Sequence, residues 1–185
     1  MNRNVVTIFF ILSLVINIVL LGVIINDSIE GNSGDTQISY ALTGYNGDPE
    51  EELINVINYS KEELNIAIYN LDNENIVDAI SAAADRGVSI RMIADEENAE
   101  NEDSKEIFNE LKTLGIPIKT STGGKMHVKL TISDNQTVVT GSFNYTKDSA
   151  EDNQENLLTV RNPHLASSMN DTFNELWNSN DLEDW

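Results

Sequence analysis

The sequence predicts an α/β fold in which a mixed central sheet is flanked by helices. From residue 37 onward, short runs rich in Ile, Val and Thr alternate with longer segments whose apolar residues recur every three to four positions. Such alternation is typical of parallel strands joined by helices. Between residues 126 and 144, two β runs are separated only by a short polar break, which predicts an antiparallel hairpin. The two patterns together predict a sheet that contains both kinds of strand pair.

The N-terminal segment has the composition of a membrane anchor. Residues 5–25 are an uncharged run with only three polar interruptions, and a helix of that length spans about 30 Å, the thickness of a bilayer core. A cleaved signal peptide is the alternative, but the run exceeds the usual apolar region of about 7 to 15 residues and no clean cleavage site follows. We therefore predict a transmembrane anchor over residues 1–25. Arg3 is the only charged residue on the N-terminal side of the run, so the positive-inside rule places the rest of the chain outside the cytoplasm. If the segment is cleaved, the domain is expected to be secreted.

A polar linker and one globular domain follow the anchor. Residues 26–36 are small, polar and glycine-containing, which indicates a flexible tether. The domain is predicted over residues 37–180. Its strands, chosen for runs of β-branched and apolar residues, are predicted at 38–43, 64–69, 88–93, 116–119, 126–132, 137–144 and 156–161.

Four helices are predicted between these strands. Two begin at Asp48-Pro49 and Asn162-Pro163, where a capping residue precedes a proline that suits the first helical position. The second covers residues 76–86 and ends at Gly87, and the third follows a polar loop at residues 95–103. Their apolar stripes are assigned to the core, and include Leu53, Val56 and Ile57, Ile76, Ile80, Ala83 and Ala84, Ile107, Phe108, Leu111 and Leu114, and Leu165, Met169, Phe173, Leu176 and Trp177.

The predicted hairpin gathers polar side chains on one surface. Over residues 126–132 the even positions from 128 onward are apolar and the odd positions are polar, which predicts one core face and one chemical face. With the hairpin loop centred between residues 135 and 136, Lys129 lies opposite Ser142 and His127 lies opposite Asn144. Directly opposed residues share a face of the sheet. The four side chains are therefore expected to converge.

This set of side chains suits phosphoryl transfer. Lys129, Ser142 and Asn144 can donate to the non-bridging oxygens of a phosphodiester, and His127 can attack phosphorus or move protons near neutral pH. The set requires no metal and no cofactor, and none is predicted. By parity Asp134 lies on the opposite face, at a strand end where a short acid commonly accepts backbone hydrogen bonds, so it is predicted to be structural.

These residues resemble the signature of the phospholipase D superfamily. His-x-Lys, four residues, Asp, six residues and Gly-Ser-x-Asn are matched without a change of spacing at His127, Lys129, Asp134, Gly141, Ser142 and Asn144. Residues 153–156, Asn-Gln-Glu-Asn, resemble the acidic segment that follows the signature in the small single-motif bacterial endonucleases of that superfamily. The resemblance covers roughly residues 37 to 178 and implies a phospholipase D-like α/β sandwich with one His-Lys-Asp unit per chain.

The resemblance also implies a mechanism. His127 would attack phosphorus to give a phosphohistidine, and a second histidine would protonate the leaving oxygen and then activate water. Because the chain has one His-x-Lys, the second histidine would come from a second copy, in a homodimer with both motifs facing one site. Lys129, Ser142 and Asn144 would stabilise the transition state, Glu155 would fix the histidine tautomer, and Asp134 and Gly141 would be structural.

The composition and the second histidine limit the other kinds of chemistry and function that the chain could have. There is no cysteine, so disulfides and thiol catalysis are excluded. The second histidine, His164, opens the last predicted helix and is expected to be an exposed polar residue. Three classes of function stay open, namely an extracytoplasmic nuclease, a phospholipase held near lipid by its anchor, and a binding protein without turnover. The intact polar set argues against the third class.

The net charge is unusual for a nucleic-acid enzyme. Arg3 is the only charged residue among residues 1–25, so residues 26–185 hold 10 basic and 31 acidic residues, a net charge of −21. A nucleic-acid-binding protein commonly presents a basic surface instead. Two interpretations follow: an ordinary acidic surface, or a halophilic protein whose charge is screened by salt.

Overall fold

The computed structural model describes residues 36–185, so the predicted anchor over residues 1–25 and the linker up to residue 35 lie outside the described residues. The described part contains one eight-stranded mixed sheet in the order β1-β7-β6-β5-β2-β3-β4-β8. Strands β2, β3 and β4 are parallel to one another, and the remaining neighbours are antiparallel. The strands are β1 (Gln37–Leu42), β2 (Glu63–Ile68), β3 (Ser89–Ala94), β4 (Ile118–Ser121), β5 (Lys129–Ser133), β6 (Thr137–Gly141), β7 (Asn156–Arg161) and β8 (Leu182–Asp184).

Two helices begin where the sequence predicts them from a capping residue followed by proline. Asp48 accepts backbone N–H groups at the start of the first helix, and Asn162 does the same at the last. A proline follows each of these caps at the first helical position, as predicted. The helices are α1 (Pro49–Tyr59), α2 (Glu74–Asp85), α3 (Glu96–Ala99), α4 (Glu102–Thr113), α5 (Lys147–Glu151) and α6 (Pro163–Trp177).

Helices cover both faces of the sheet, as the predicted sandwich requires. On one face, α1, α2 and α4 pack their apolar stripes on β2, β3 and β4 in the larger core, which includes Leu53, Ile80 and Phe108. On the other face, α6 places Ala166 and Phe173 against Leu130, Ile132 and Val138. Burial of these side chains from water supplies the main driving force for this layering. Within residues 36–185, no helix combines the length and apolarity needed to cross a bilayer.

The predicted hairpin is present, but its register differs by one residue. Strand β5 pairs with β6 through Ser133↔Thr137 and Leu130↔Thr140, so the loop is centred on Asn135. Asp134 and Asn135 both have positive φ, a backbone region in which Asp and Asn are enriched. Continued by one residue, this register sets Lys129 opposite Gly141 and not opposite Ser142, which corrects the predicted pairing.

The predicted division of β5 into a core face and a chemical face is also wrong. Lys129 is 6% exposed and Thr131 is fully buried, whereas Val128, which was assigned to the core, is 43% exposed. Because helices cover both faces of the sheet, the odd positions of β5 lie under the α1 and α2 layer. The strand begins at Lys129 and β6 ends at Gly141, so His127, Ser142 and Asn144 lie in the segments just beyond the strand ends.

Other differences occur at polar segments. The loop predicted at residues 95–103 contains the single-turn helix α3, which Asp95 caps, and the loop after Asn144 contains α5, capped by Thr146. Strand β8 extends the sheet beyond residue 180, although its acidic sequence carries no strand pattern. Leu114 and Leu165, predicted as core, are 40% and 39% exposed because each lies at a helix end beyond the packed layer.

Candidate active site

The candidate site lies at one end of the sheet, which we call the site end. Strands β2 and β6 finish here with Ile68 and Gly141, and β5 and β7 begin here with Lys129 and Asn156. The segments that follow or precede these residues carry His127, Ser142 and Asn144. The opposite end of the sheet, the far end, contains the β5–β6 turn and the start of α6. Strand topology therefore gathers segments that are up to about 90 residues apart in the chain.

His127 and Lys129 are in direct contact at the site end. The Lys129 Nζ lies 3.3 Å from His127 Nε2 and 3.4 Å from the His127 carbonyl oxygen. With the imidazole proton on Nδ1, Nε2 accepts a hydrogen bond from the ammonium group. His127 is exposed while Lys129 is buried, so the imidazole is open to an incoming substrate and the ammonium group is fixed beneath it.

Tyr69, the first residue after β2, is in contact with both members of this pair. Its ring centroid lies 4.5 Å from that of His127, and the Lys129 Nζ lies 4.8 Å from the Tyr69 ring centroid. An ammonium group over an aromatic face is attracted by the ring quadrupole. The ring therefore fixes both the imidazole and the ammonium group.

Ser142 and Glu155 form a second contact pair in the loops after β6 and before β7. The Ser142 hydroxyl donates to Glu155 Oε2 and accepts from the Asn156 backbone N–H at 3.1 Å. The Glu155 backbone carbonyl accepts from the Thr43 N–H at 3.0 Å, which ties the loop to the end of β1. In this single chain the Glu155 carboxylate thus bonds Ser142 and not His127, so its tautomer-fixing role stays a prediction.

Electrostatics links the two pairs. Burial lowers the pKa of the Lys129 ammonium, and the negative charge of Glu155 opposes that shift. The carboxylate is thus close enough to act on Lys129 electrostatically. A phosphodiester placed at this end of the sheet would meet a cation held by Tyr69 and balanced by one nearby acid.

Asn144 and Gly141 complete the predicted set. The Asn144 Oδ1 is buried and has no hydrogen-bond partner among residues 36–185, which is uncommon for a side-chain amide. Gly141 is required by close packing: a Cβ built there would lie 2.2 Å from the Asn156 carbonyl oxygen. That carbonyl also accepts from Ser142 and Phe143, so Gly141 lets the Ser142 segment approach β7.

Asp134 lies at the far end, away from the chemistry. Its carboxylate accepts three backbone N–H groups, from Lys61 at 2.9 Å, Glu62 at 2.8 Å and Glu63 at 3.1 Å. These residues join α1 to β2, so Asp134 accepts backbone hydrogen bonds as predicted, but from a segment other than its own turn. The structure nonetheless gives it a purely structural set of contacts.

Three residues beside the site, Tyr69, Asp95 and Lys125, were not predicted from the sequence to belong to it. Asp95, at the end of β3, is buried and accepts the Met126 backbone N–H at 3.0 Å, which holds the segment that leads to His127. Lys125 Nζ lies 3.3 Å from the Tyr69 hydroxyl. Asp95 and Tyr69 each directly follow a strand that finishes at the site end. The order of the strands in the sheet, had it been known, would have predicted their place beside the site.

Other polar features lie elsewhere in the described part. His164 is exposed in the first turn of α6 at the far end, as predicted. A cleft of about 870 Å³ also lies at the far end, lined by residues that include Glu52, Lys61, Asp134 and Arg161. It holds none of the predicted catalytic side chains. Within residues 36–185, no three His, Asp or Glu side chains come together as a metal site would need.

The mixed sheet covered on both faces has the α/β sandwich architecture, and it carries the His127–Lys129 pair and the Ser142–Glu155 pair at one end. The family described as "Cardiolipin synthase, PLD-like domain" matches residues 53–177. The chain belongs to the phospholipase D family.

Similar proteins agree with this assignment. The mitochondrial cardiolipin hydrolase of Chlamydomonas reinhardtii is 30% identical over 115 residues, 62% of this chain and 51% of that protein. A phospholipase D of Rickettsia conorii is 31% identical over 117 residues, 63% of this chain and 58% of that protein. The chain thus spans about half the length of these curated relatives.

Among solved structures, the phospholipase D family member Nuc from Salmonella typhimurium superposes with a TM-score of 0.76 and 29% identity, over 82% of this chain and 99% of Nuc. NucT from Helicobacter pylori shares the fold, with a TM-score of 0.71 and 22% identity over 82% of this chain and 100% of that chain. The superposed region of this chain therefore corresponds to nearly the whole of each of these smaller proteins.

Proposed function

We propose that this chain is a membrane-anchored phosphodiesterase that cleaves nucleic acid outside the cytoplasm through a phosphohistidine on His127. The observation that carries the proposal is the His127–Lys129 contact at 3.3 Å, with the imidazole exposed and the ammonium group buried beneath it. A histidine and a lysine this close together could act on one phosphorus atom and its oxygens, which supports the proposal. The resemblance of the sequence to small single-motif endonucleases supports nucleic acid as the substrate of this chain.

The proposed first step forms the phosphohistidine. The Lys129 ammonium turns from His127 Nε2 to the phosphate oxygens, the freed Nε2 lone pair attacks phosphorus, the N–P bond forms, and the bond from phosphorus to the leaving ester oxygen breaks. As negative charge grows on the non-bridging oxygens, Lys129 and the Asn144 amide donate to them, and the Ser142 hydroxyl does so once it has turned from Glu155. A preorganised donor of this kind is worth roughly 3 to 4 kcal/mol of transition-state stabilisation.

A second histidine is needed to protonate the leaving oxygen and then to activate water, whose attack breaks the N–P bond. The chain has two histidines, and His164 lies at the far end of the sheet. The second histidine of one site would therefore be His127 of a second copy. A homodimer with a two-fold axis through the site supplies it, and such dimers are the commonest homo-oligomers.

A phospholipid substrate is the second candidate. It is favoured by the relatives named cardiolipin hydrolase and phospholipase D, and by the acidic charge of the domain, which opposes the approach of a long polyanion. An anchor over residues 5–25 would also hold the site near lipid headgroups.

Parallel assays test the proposal. The full chain is incubated with single-stranded DNA, RNA, and vesicles of cardiolipin or phosphatidylcholine, and is compared with His127→Asn. We expect DNA or RNA cleavage by the wild-type chain and a loss of at least about a thousandfold in His127→Asn, because the nucleophile is removed. Since His127 is exposed and outside the strand, the melting temperature should not change. Vesicle hydrolysis without nucleic-acid cleavage would assign the second candidate.

The location is tested separately. Cell fractionation of the full chain and of a chain lacking residues 1–25 should find the first in membranes, accessible to protease added outside the cell. Recovery of both chains in the cytoplasm would contradict the anchor.

A further inference from the structure

Tyr69 contacts one positively charged residue, Lys125, that has no role in the proposed reaction. Besides His127 and Lys129, the ring lies beside Lys125, whose Nζ is 5.6 Å from the ring centroid and 3.3 Å from the Tyr69 hydroxyl. Two ammonium groups and an imidazole thus surround one aromatic ring, although residues 26–185 carry a net charge of −21. Two ammonium groups that lie near the same ring repel each other. The arrangement is favourable where an anion with more than one charge binds between them.

Lys125 is free to bind a ligand. It is exposed, and an ammonium group has three donors, of which the Tyr69 hydroxyl takes one. The nearby acids do not cover it: Asp95 is buried and accepts from the Met126 and Asn98 backbone N–H groups, and Glu97 acts on Lys125 through charge alone. The remaining donors of Lys125 therefore face solvent at the site end.

The two lysines differ in what they can do. Lys129 is buried and in contact with the His127 Nε2, so it would donate to the oxygens of the phosphate that His127 attacks. Lys125 is held at the hydroxyl of Tyr69, whose ring centroid lies 4.5 Å from that of His127. An oligonucleotide that places one phosphodiester on His127 would carry its neighbouring phosphate past this second cation.

We infer that Lys125, positioned by the Tyr69 hydroxyl, forms a second phosphate subsite that binds the phosphate next to the scissile one in an oligonucleotide. This inference rests on the proposed nucleic-acid phosphodiesterase activity. It gives the enzyme a preference for substrates with two neighbouring phosphodiesters over substrates with one. It also explains how a strongly acidic domain holds a polyanion locally.

Small chromogenic substrates test the subsite. The full chain is assayed with p-nitrophenyl esters of thymidine monophosphate and of dithymidylate, in 5′ and 3′ forms, so that the scissile group is constant and one thymidine with its phosphodiester is added. We expect kcat/KM to be about tenfold higher for a dithymidylate ester, as for one charge-assisted hydrogen bond. The gain should appear in KM, since the contact is present in both ground and transition states.

Four variants separate the subsite from general effects of charge. Lys125→Gln should bring the ratio of dinucleotide to mononucleotide kcat/KM to about one, and Lys125→Arg should keep most of it. Tyr69→Phe, which retains the ring but loses the hydroxyl, should lower the ratio in part. Lys61→Gln is the matched control, because it removes the same charge from an exposed lysine at the far end, and it should keep the wild-type ratio.

The outcomes distinguish this inference from the proposed function. If the wild-type chain hydrolyses the esters in a His127-dependent manner, but Lys125→Gln keeps the wild-type ratio or Lys61→Gln loses as much of it, the subsite is wrong and the phosphodiesterase stands. If His127→Asn hydrolyses the esters as fast as wild type, both are wrong. A Lys125 dependence confined to cardiolipin over phosphatidylcholine vesicles would overturn the nucleic-acid subsite and assign the second phosphate to a lipid.

Discussion

At the scale of single residues, the motif divides into two groups that the structure places far apart. His127, Lys129, Ser142 and Asn144 belong to the site end, and Asp134 belongs to the far end, where its carboxylate accepts from the backbone N–H groups of residues 61–63. Asp134 therefore contributes to stability through the α1–β2 connection. The variant Asp134→Asn should therefore affect stability, whereas His127→Asn should affect activity.

Asp134→Asn should destabilise the protein and leave its activity at moderate temperature nearly intact. The amide keeps one acceptor oxygen but loses the charge that strengthens three hydrogen bonds, a loss of about 1–3 kcal/mol. Thermal melting and nuclease assays at 25 °C measure the two effects. A complete loss of activity with an unchanged melting temperature would contradict this structural role.

At the scale of elements, strand β5 is held from its polar face by a buried hydrogen bond. The Thr131 hydroxyl lies 2.6 Å from the hydroxyl of Tyr145, which follows the site loop after β6. Tyr145 is almost fully buried, and burial raises the pKa of its phenol. This contact joins the middle of β5 to the loop that carries Asn144, so it couples the stability of the strand to the placement of the site.

The buried phenol predicts a loss of stability at alkaline pH. In the unfolded chain Tyr145 ionises near the ordinary value of about 10, whereas in the folded protein it stays neutral. The unfolded state then binds fewer protons than the native state, so the free energy of unfolding falls as the pH rises above about 10. Denaturant unfolding of wild type and Tyr145→Phe between about pH 9 and 11 measures this effect.

The Tyr145→Phe variant should start from a lower stability near neutral pH, by about 1–3 kcal/mol, because the Thr131 hydroxyl loses its buried partner. Its stability should then decline less steeply with rising pH than that of wild type. Parallel slopes for the two proteins would show that another group controls the alkaline transition.

At the scale of the whole molecule, the site contains one histidine and the described part of the chain offers no second one nearby. His164 is at the start of α6, and the β5–β6 turn hydrogen-bonds that start through Gln136 and Asn162. The length of the strands therefore separates the two histidines within one chain. This separation is the structural reason for expecting a dimer.

A chain of residues 30–185 should be a dimer in light scattering. Mixing wild-type chains with His127→Asn chains, with time for subunit exchange, should lower the activity per wild-type chain, since mixed dimers hold one histidine in a site that needs two. The control is a mixture with Lys61→Gln, which should lose nothing. A monomer with full activity would contradict the two-copy site.

Net charge gives the second prediction at this scale. Within residues 36–185 the structure pairs only Lys105 with Glu100 and Lys147 with Glu74 as ion pairs, so most acids repel one another through solvent. On the halophilic interpretation, the melting temperature and the cleavage rate should both rise between about 0.1 and 1 M salt, as the screening length falls from about 10 to 3 Å. Equal stability at both ends, with activity falling steadily, would favour an ordinary acidic surface.

Much of the fold follows from the sequence by itself. The period of the apolar residues and the cap-proline pairs set the positions of β7 and of the first turn of α6, and they predicted the other main elements within a few residues. The motif spacing also identified the family and predicted the residues of the site. These signals are local, because capping, periodicity and motif spacing depend on neighbours along the chain.

Only the tertiary structure decided the register, the faces and the neighbours of these residues. The one-residue shift of the hairpin arose from the positive φ of Asp134 and Asn135, and the burial of Lys129 and Thr131 arose because helices cover both sides of the sheet. Tyr69, Asp95 and Lys125 joined the site because β2, β3 and the segment before β5 meet at one end. Strand order determines these contacts, and strand order depends on packing between segments that are distant in the sequence, where no local pattern records it.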